Sequence, residues 1–251
     1  MLSRTIPFFL QILYAFRVKT LAVKQNSLYN SNIHDEGGLP MPTSNTLKLG
    51  TKRKNLFLRV VKGHFATSNS HANYYIDVTM QKSRLSEAQA VAEELSAYYH
   101  TTIVDTILCL DGTEVIGACL ADKLTRGSYI SMNAHQTIYV VTPEMSNGQI
   151  LFRDNLIPMI QGKHVLVLAV SVASGNTVGN AVEAIRYYGG HPAGIASVFS
   201  TQEKIYDLDV HSVFDPNDLD GYAIYAPHEC PLCKNGEKID ALINCYGFSK
   251  L

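Results

Sequence analysis

The sequence predicts an α/β fold, built on an open, mainly parallel sheet with helices on both faces. Three observations predict this class. Apolar stretches of strand length recur along the chain, the segments between them keep helical spacing, and the two kinds alternate between about residue 100 and residue 199. Parallel strands need crossover connections, so this alternation is typical of a parallel sheet with right-handed crossovers.

The strands are predicted from apolar, β-branched runs. The runs at 102–110 and 165–170 are nearly continuous, which is typical of strands buried on both faces. Further strands are predicted at 56–61, 74–78, 138–142 and 193–199. Helices are predicted from Ser83 or Ser86, as the cap, to Tyr99, and at 114–124 and 180–188. Gly189-Gly190 is expected to end the last helix, because the left-handed position at a helix C-terminus favours glycine.

The first 50 residues differ from the rest of the chain. After a short apolar run they are rich in Asn, Ser, Gly and Pro without any period, which predicts a disordered leader over 1–50 and a single domain over 51–251. A second interpretation is that this leader is not translated. Glu36-Gly37-Gly38 can be encoded by a purine run that matches a bacterial ribosome-binding sequence, and Met41 follows at a short distance.

Composition excludes several classes of function. The 251 residues carry a formal net charge of −1, but 1–54 hold eight Lys and Arg against two acids, which leaves 13 against 20 elsewhere. A mainly acidic body argues against a nucleic-acid partner.

The apolar run at 6–16 is too short to span a membrane, although a signal peptide is a second interpretation of it. Five cysteines, an odd number, favour a reducing, cytoplasmic compartment.

A turn that follows the predicted strand at 165–170 has the composition of a phosphate site. Its residues are Ala173, Ser174, Gly175, Asn176 and Thr177. Glycine lets the backbone curl closely around an anion, and the N-terminus of the next helix adds partial positive charge. A plain helix cap by Ser or Thr is the alternative interpretation. We refer to residues 173–177 as the phosphate turn.

A second loop follows the strand predicted at 102–110 and contains Asp111, Gly112 and Thr113. It is interpreted as an N-cap with a tight turn, or as a site for a cation or a hydroxyl group. Because the Asp111 carboxylate would repel a bare pyrophosphate, an anion site here requires a metal ion. The loop spans Cys109 to Thr113, and we refer to it as the Asp111 loop.

The segment His228-Glu229-Cys230-Pro231-Leu232-Cys233 resembles half of a zinc knuckle. A structural zinc ion needs four ligands, and His228 with Cys245, or a second subunit, could complete the set. The missing second ligand pair favours reduced structural thiols and no structural zinc. The histidines at 64, 71 and 135 are interpreted as surface or hydrogen-bonded residues rather than ligands.

Residues 165–199 resemble the type I phosphoribosyltransferases, the orotate type in particular. The strand followed by Ala173-Ser174-Gly175-Asn176-Thr177 matches that family's phosphate-binding turn in part. Weaker similarity extends over roughly residues 56–235, including Val61-Lys62-Gly63 before a Tyr-rich strand, and Cys230-Pro231-Leu232-Cys233. Ala169 and Val170 replace two acidic residues that hold the ribose hydroxyls of phosphoribosyl pyrophosphate in the family.

The resemblance implies the type I fold with a small hood or C-terminal segment, a homodimer, and transfer of phosphoribosyl from phosphoribosyl pyrophosphate to a pyrimidine-type base with Mg²⁺. Lys62 and the Asp111 loop would lie on the pyrophosphate and base side, and Asp111 would recruit the metal. Residues 143–155 correspond to a flexible catalytic loop, in which Arg153 is the only base. Two alternatives remain open, a non-catalytic nucleotide-binding regulatory protein and a zinc-stabilised interaction module.

Overall fold

The computed structural model describes residues 46–50, 56–126, 131–134, 136–146 and 148–251. The predicted leader up to residue 45, the proposed start at Met41 and His135 lie outside the described residues. None of the described helices is long and apolar enough to cross a membrane.

The described residues form strands and helices in the following order along the chain. The strands are β1 (Thr46–Gly50), β2 (Phe57–Ala66), β3 (His71–Asp77), β4 (Thr106–Cys109), β5 (Tyr139–Val141), β6 (Glu144–Ser146), β7 (Gln149–Leu151), β8 (His164–Val172), β9 (His191–Ser200), β10 (Lys204–Ile205), β11 (Leu208–Phe214), β12 (Ile224–Tyr225), β13 (Ala241–Asn244) and β14 (Gly247–Lys250). The helices are α1 (Thr79–Ser83), α2 (Leu85–Tyr99), α3 (Glu114–Thr125), α4 (Asn176–Tyr187) and α5 (Pro231–Lys234).

The central sheet has the order β10-β11-β9-β8-β4-β5. All neighbours are parallel except the β10–β11 pair. Alternate residues of β8 enter two different cores: Leu166 and Leu168 pack with residues of α2 and α3, whereas Val165 and Val167 pack with residues of α4. The apolar run at 165–170 is therefore buried on both faces, and the prediction of helices on both faces is confirmed.

The second sheet has the order β12-β3-β2-β13-β14, with β1 also paired to β2. Its pairs are antiparallel except for β2 with β13. The short turn at 67–70 joins β2 to β3, and so short a connection can join only antiparallel strands. The chain therefore has an α/β fold with mixed sheets, and the expectation of a mainly parallel sheet holds for the central sheet alone.

Residues 46–50 form a strand, although the sequence predicts a disordered leader over 1–50. They form β1, in which Leu47 lies opposite Val60 and Leu49 opposite Leu58. Leu49 packs against the core, whereas Leu47 is half exposed. The alternation Leu47-Lys48-Leu49 is the period-2 pattern of a strand. It is short and directly follows a polar segment, so composition assigns it to the leader.

Several predicted boundaries shift for local reasons. The strand predicted at 102–110 shortens to β4, because the Val104 amide donates to the side-chain oxygen of Asn133 (2.8 Å) instead of joining a sheet. α2 starts at Leu85 with Arg84 as its N-cap and no side-chain cap, so the capping role predicted for Ser83 or Ser86 is wrong. Gly189 is left-handed (φ 77°) after α4, as predicted.

Candidate functional site

The two loops selected from the sequence follow neighbouring strands of the central sheet. β4 and β8 are parallel and adjacent, and the Leu110 amide donates to the Leu168 carbonyl (2.8 Å) just beyond the end of β4. The Asp111 loop and the phosphate turn therefore lie at the same carboxyl edge of the sheet. In open α/β sheets this edge is where ligands bind.

The phosphate turn leads directly from β8 into α4. The helix begins at Asn176 rather than at Asn180, so Asn176 and Thr177 belong to its first turn. Gly175 is the N-cap, with a left-handed backbone (φ 79°), and no side chain caps the helix. The side chains of Ser174, Asn176 and Thr177 are exposed. The N–H groups of the first helical turn are therefore available to bind water or an anion, and the helix dipole favours an anion.

Residues after β9 hold this turn in place. The Ala173 carbonyl accepts hydrogen bonds from Thr201 Oγ1 (2.8 Å) and Gln202 Nε2 (2.9 Å), and the Thr201 amide donates to the Val172 carbonyl (2.9 Å). The turn's carbonyl is therefore directed into the protein while its amide side stays open. Sequence reasoning missed Thr201 and Gln202, which carry no motif of their own.

Gly175 is required for two independent reasons. Its φ of 79° lies in the left-handed region, which side chains other than glycine rarely adopt. A Cβ at this position would also collide with Ile205 Cδ1, which lies over the turn from β10. Any residue larger than glycine would distort the turn or displace Ile205.

The Asp111 loop has two successive left-handed residues, Asp111 (φ 58°) and Gly112 (φ 78°). Thr113 is fully buried, and its hydroxyl contacts the Leu110 carbonyl (2.8 Å) and the Leu168 carbonyl (3.1 Å). Thr113 thus secures the loop to β8, and its hydroxyl is not presented to a ligand. A contact of Thr113 with a ligand would have to come from its backbone, and its place on the pyrophosphate and base side stays a prediction.

Lys82, a residue that sequence reasoning missed, reaches the same loop from α1. Its ammonium donates to the carbonyl oxygens of Asp111 (3.0 Å) and Cys245 (2.7 Å). Burial raises the pKa of the Asp111 carboxyl, although a hydrogen bond with the Cys245 thiol and the charge of Lys82 oppose this shift. The loop therefore combines one partly buried carboxyl with one cation held against its backbone.

Ala169 and Val170 occupy the strand positions where the related family has its acidic pair. Ala169 is fully buried and Val170 is 5% exposed, and they pack into the two cores on opposite faces of the sheet. A carboxylate at either position would be surrounded by apolar side chains. The chain therefore has no acidic pair at the end of β8 for the hydroxyl groups of a ribose.

The remaining predicted positions lie elsewhere. Lys62 is exposed on β2 of the second sheet, with its ammonium 5.9 Å from the ring centroid of Tyr74.

Residues 143–155, expected to form a flexible loop, contain the β6–β7 hairpin. Arg153 forms two hydrogen bonds with the Glu144 carboxylate (2.6 and 2.7 Å), and this pairing lowers the pKa of Glu144. The only base of the loop is thus engaged by its own hairpin.

The Cys-x-x-Cys segment lies in a different part of the molecule, beside β2 and β3. The nitrogen or sulfur atoms of His64, His71, Cys230 and Cys233 all lie within 4.8 Å of one another. His64 and His71 are buried and face the cysteines, so they are not surface residues. They are hydrogen-bonded, which was the other interpretation given for them. Cys245 instead contacts Asp111.

Comparison with known proteins supports the resemblance found in the residues. No protein-family model matches the chain. The orotate phosphoribosyltransferase of Chlorobium phaeobacteroides is 27% identical over 185 residues, which cover 72% of this chain and 88% of that protein. The corresponding enzyme of Chlorobaculum parvum is 26% identical over 191 residues, with the same coverage of 72% and 88%. The predicted similarity to orotate phosphoribosyltransferases is confirmed.

Among solved structures, an orotate phosphoribosyltransferase of Mycobacterium tuberculosis, crystallised with Fe(III) dicitrate, aligns with a TM-score of 0.46 and 19% identity. That alignment covers 65% of this chain and 93% of the other.

Proposed function

From its similarity to the orotate phosphoribosyltransferases, we propose that this chain binds the 5′-phosphate of a ribosyl phosphate ligand at the phosphate turn. The ligand class is a pyrimidine nucleoside monophosphate or phosphoribosyl pyrophosphate. The observation that carries this proposal is the uncapped first turn of α4 behind the left-handed Gly175, at the carboxyl edge of the central sheet.

The turn can bind a phosphate group without any acidic residue. Anion affinity comes from the N–H groups of the first helical turn, from the helix dipole and from the exposed hydroxyls of Ser174 and Thr177. The Ala173 carbonyl would repel an anion if it turned outward, but Thr201 and Gln202 hold it inward. A ligand that lacks the phosphate would lose these contacts.

The same site is poorly equipped for rapid transfer of the phosphoribosyl group. The buried Ala169 and Val170 offer no oxygen to the ribose hydroxyls, and Arg153 is bound by Glu144. Without positioned charge on the departing pyrophosphate, the transition state receives little electrostatic stabilisation. We therefore propose that the chain binds its nucleotide stably and transfers phosphoribosyl to orotate slowly or not at all, as a regulatory protein would.

The described residues fit a magnesium ion poorly. Magnesium prefers several oxygen ligands in octahedral geometry. At this edge the Asp111 loop offers one carboxyl, which is partly buried and hydrogen-bonded by the Cys245 thiol. No step of the proposed function depends on a magnesium ion.

Catalysis is the second candidate function, and the relatives favour it, since both sequence relatives described above are named orotate phosphoribosyltransferases. In that case Lys82, held against the Asp111 loop, would be a cation beside the position expected for pyrophosphate. Lys62 and a homodimeric, cytoplasmic state remain predictions of the resemblance.

A thermal-shift panel combined with a transfer assay separates the two functions. Ligands that bind only the native state raise the melting temperature. We expect nucleoside monophosphates and phosphoribosyl pyrophosphate to raise it, and orotate to persist when incubated with phosphoribosyl pyrophosphate and Mg²⁺. Rapid consumption of orotate would refute the regulatory function in favour of the enzyme. No shift with any 5′-phosphate at millimolar concentration would refute both.

A further inference from the structure

We propose that His64, His71, Cys230 and Cys233 form a structural zinc site, separate from the phosphate turn. We call these four residues the Cys2His2 cluster. The sequence argued against zinc because the Cys-x-x-Cys pair lacked a second pair of ligands. The fold supplies that pair, since Cys230 and His64, 166 positions apart in the chain, meet with Sγ and Nε2 3.5 Å from each other.

Four of the six distances between the ligand atoms of the cluster are close to those of a tetrahedral zinc ion, and the other two are below 4.8 Å. With Zn–N bonds of about 2.0 Å and Zn–S bonds of about 2.3 Å, a tetrahedral ion holds its ligand atoms about 3.3–3.8 Å apart. His64 Nε2 lies 3.2 Å from His71 Nδ1 and 3.6 Å from Cys233 Sγ, and Cys233 Sγ lies 3.3 Å from His71 Nδ1. The four atoms thus surround a space of the size that zinc occupies.

One histidine is already oriented as a ligand. His64 Nδ1 lies 3.1 Å from the Glu237 carbonyl, which can only accept a hydrogen bond. The proton therefore resides on Nδ1, and the lone pair of Nε2 points at the two sulfur atoms and at His71. A backbone carbonyl in this role is a common outer partner of zinc-binding histidines, because it fixes the tautomer and the ring orientation.

The backbone around the cluster is built to hold it. His64 and His71 lie at the two ends of the β2–β3 connection, where His71 pairs with Ala66. Cys230 immediately precedes α5 and Cys233 lies within it, so one turn of helix brings both thiols to the same side. The helix ends at Lys234, and two residues later Gly236 is left-handed (φ 76°) and its amide donates to the Cys233 carbonyl (3.0 Å).

Burial distinguishes the cluster from a chance group of surface residues. Cys230 is fully buried, His64 is 2% exposed and His71 is 9% exposed, whereas Cys233 is exposed and offers the ion a path of entry. Both cysteines are free thiols. Zinc would displace their two protons and coordinate the thiolates together with the two neutral imidazoles, which gives a site with no net charge.

The site would fasten the C-terminal segment to the second sheet. Next to the cluster, the His64 amide donates to the Asp240 carboxylate (2.7 Å) and the Asp240 amide donates to the His64 carbonyl (2.8 Å). β13 then pairs with β2, and the segment continues to Cys245 at the Asp111 loop. Zinc would therefore stabilise the segment that supports one wall of the candidate ligand site.

Metal analysis of the purified full-length chain tests this site. We expect one zinc per chain in the wild type, loss of zinc in the double variant Cys230→Ser, Cys233→Ser, and full zinc content in Cys245→Ser. The Cys245 variant is the matched control, because it removes a thiol of the same segment outside the cluster. Replacement of zinc by Co²⁺ in the wild type should give the visible absorption of tetrahedral cobalt and a thiolate charge-transfer band, a readout that does not depend on a variant folding.

Three results would overturn the proposal. The first is a wild-type chain that binds neither zinc nor tetrahedral cobalt with its thiols reduced. The second is zinc retained at full content in the double variant. The third is a Cys230–Cys233 disulfide in protein isolated under reducing conditions.

Discussion

At the scale of single residues, Gly175 carries most of the proposed phosphate site. The variant Gly175→Val combines a β-branched residue with a φ of 79° and a collision with Ile205. We expect it to lose detectable nucleoside monophosphate binding, because the amides no longer converge on the phosphate. Calorimetric titration of the folded variant measures this loss.

Gly162→Val is the matched control for that experiment. Gly162 is also left-handed (φ 68°), has open space where a Cβ would lie, and precedes β8 at the opposite end of the strand from the phosphate turn. It should suffer similar backbone strain but keep its affinity. Equal losses in the two variants would show that strain alone, rather than the turn, explains the effect.

Asp111 gives a prediction on pH. Burial raises the pKa of the Asp111 carboxyl in the folded state, so the native chain binds this proton more tightly than the unfolded chain does. The free energy of unfolding therefore falls as the pH rises from the ordinary aspartate range to the higher pKa of the folded state. Asn also tolerates the left-handed backbone at this position. Asp111→Asn should therefore melt a few degrees higher than the wild type at neutral pH. The two proteins should converge at a pH below the ordinary aspartate range.

Melting curves over pH 3–8 test this, with the exposed Asp154→Asn as control. The control should follow the wild type throughout. An Asp111→Asn variant that is less stable than the wild type at neutral pH would mean that the attraction of Lys82 and the Cys245 hydrogen bond outweigh the cost of burying the carboxylate.

Residues of the candidate site differ in how far they can be predicted from sequence. The phosphate turn is contiguous and follows an unmistakable buried strand, so its five residues can be found by pattern. Lys82, Thr201 and Ile205 act through contacts that the fold creates and that no local pattern encodes. Likewise His64 lies 166 positions from Cys230, and the two are brought together by strand pairings on either side of Cys230, β12 with β3 and β13 with β2.

At the scale of elements, the β6–β7 hairpin shows how a polar segment can be misread as a flexible loop. The sequence pair Asn147-Gly148 is a strong signal for a hairpin turn, although Asn147 itself lies outside the described residues. Gly148 is left-handed (φ 78°), as such turns require, and its carbonyl accepts a hydrogen bond from Asn180 of α4 (3.2 Å). The hairpin is therefore fastened to the helix that begins at the phosphate turn.

A buried ion pair joins β2 of the second sheet to α2. Arg59 and Glu87 form two hydrogen bonds of 2.8 Å, with their side chains 12% and 7% exposed. Glu87→Ala removes a carboxylate that pairs with a desolvated guanidinium, which should cost about 3 kcal/mol of unfolding free energy. Urea denaturation measures this change.

Glu93→Ala is the control on the same helix. Its partner is Lys123 of α3, and both side chains are nearly half exposed, so the loss should stay below about 1 kcal/mol. Equal costs for the two substitutions would contradict the distinction between the buried and the exposed pair.

The elements themselves were predictable where one signal dominated. The α3 helix and the β8 and β9 strands were located to within a few residues, because each is a strongly apolar or strongly periodic segment. α4 begins earlier than predicted because Asn176 and Thr177, which are polar and exposed, do not contribute to the apolar stripe of the helix. The second sheet could not be predicted, since its pairings join β2 to strands from both ends of the described chain.

At the scale of the whole molecule, the two sheets share one core. Leu58 and Val60 of β2 belong to the same buried cluster as Leu166 and Leu168 of β8, with residues of α2 and α3 between them. The second sheet is thus packed as part of the domain rather than as a separate module. The position of the C-terminal segment at the Asp111 loop follows from this arrangement, because β13 is paired to β2.

We expect the phosphate turn to recognise a 5′-phosphate without the acidic pair found in the phosphoribosyltransferases that the chain resembles. The most direct measurement is a pair of calorimetric titrations of the wild-type chain, one with uridine 5′-monophosphate and one with uridine, since these ligands differ only in the phosphate. We expect saturable binding of the monophosphate without added Mg²⁺, and no detectable binding of uridine at the same concentrations. Equal affinities for the two ligands, or no heat with the monophosphate at millimolar concentration, would contradict the claim.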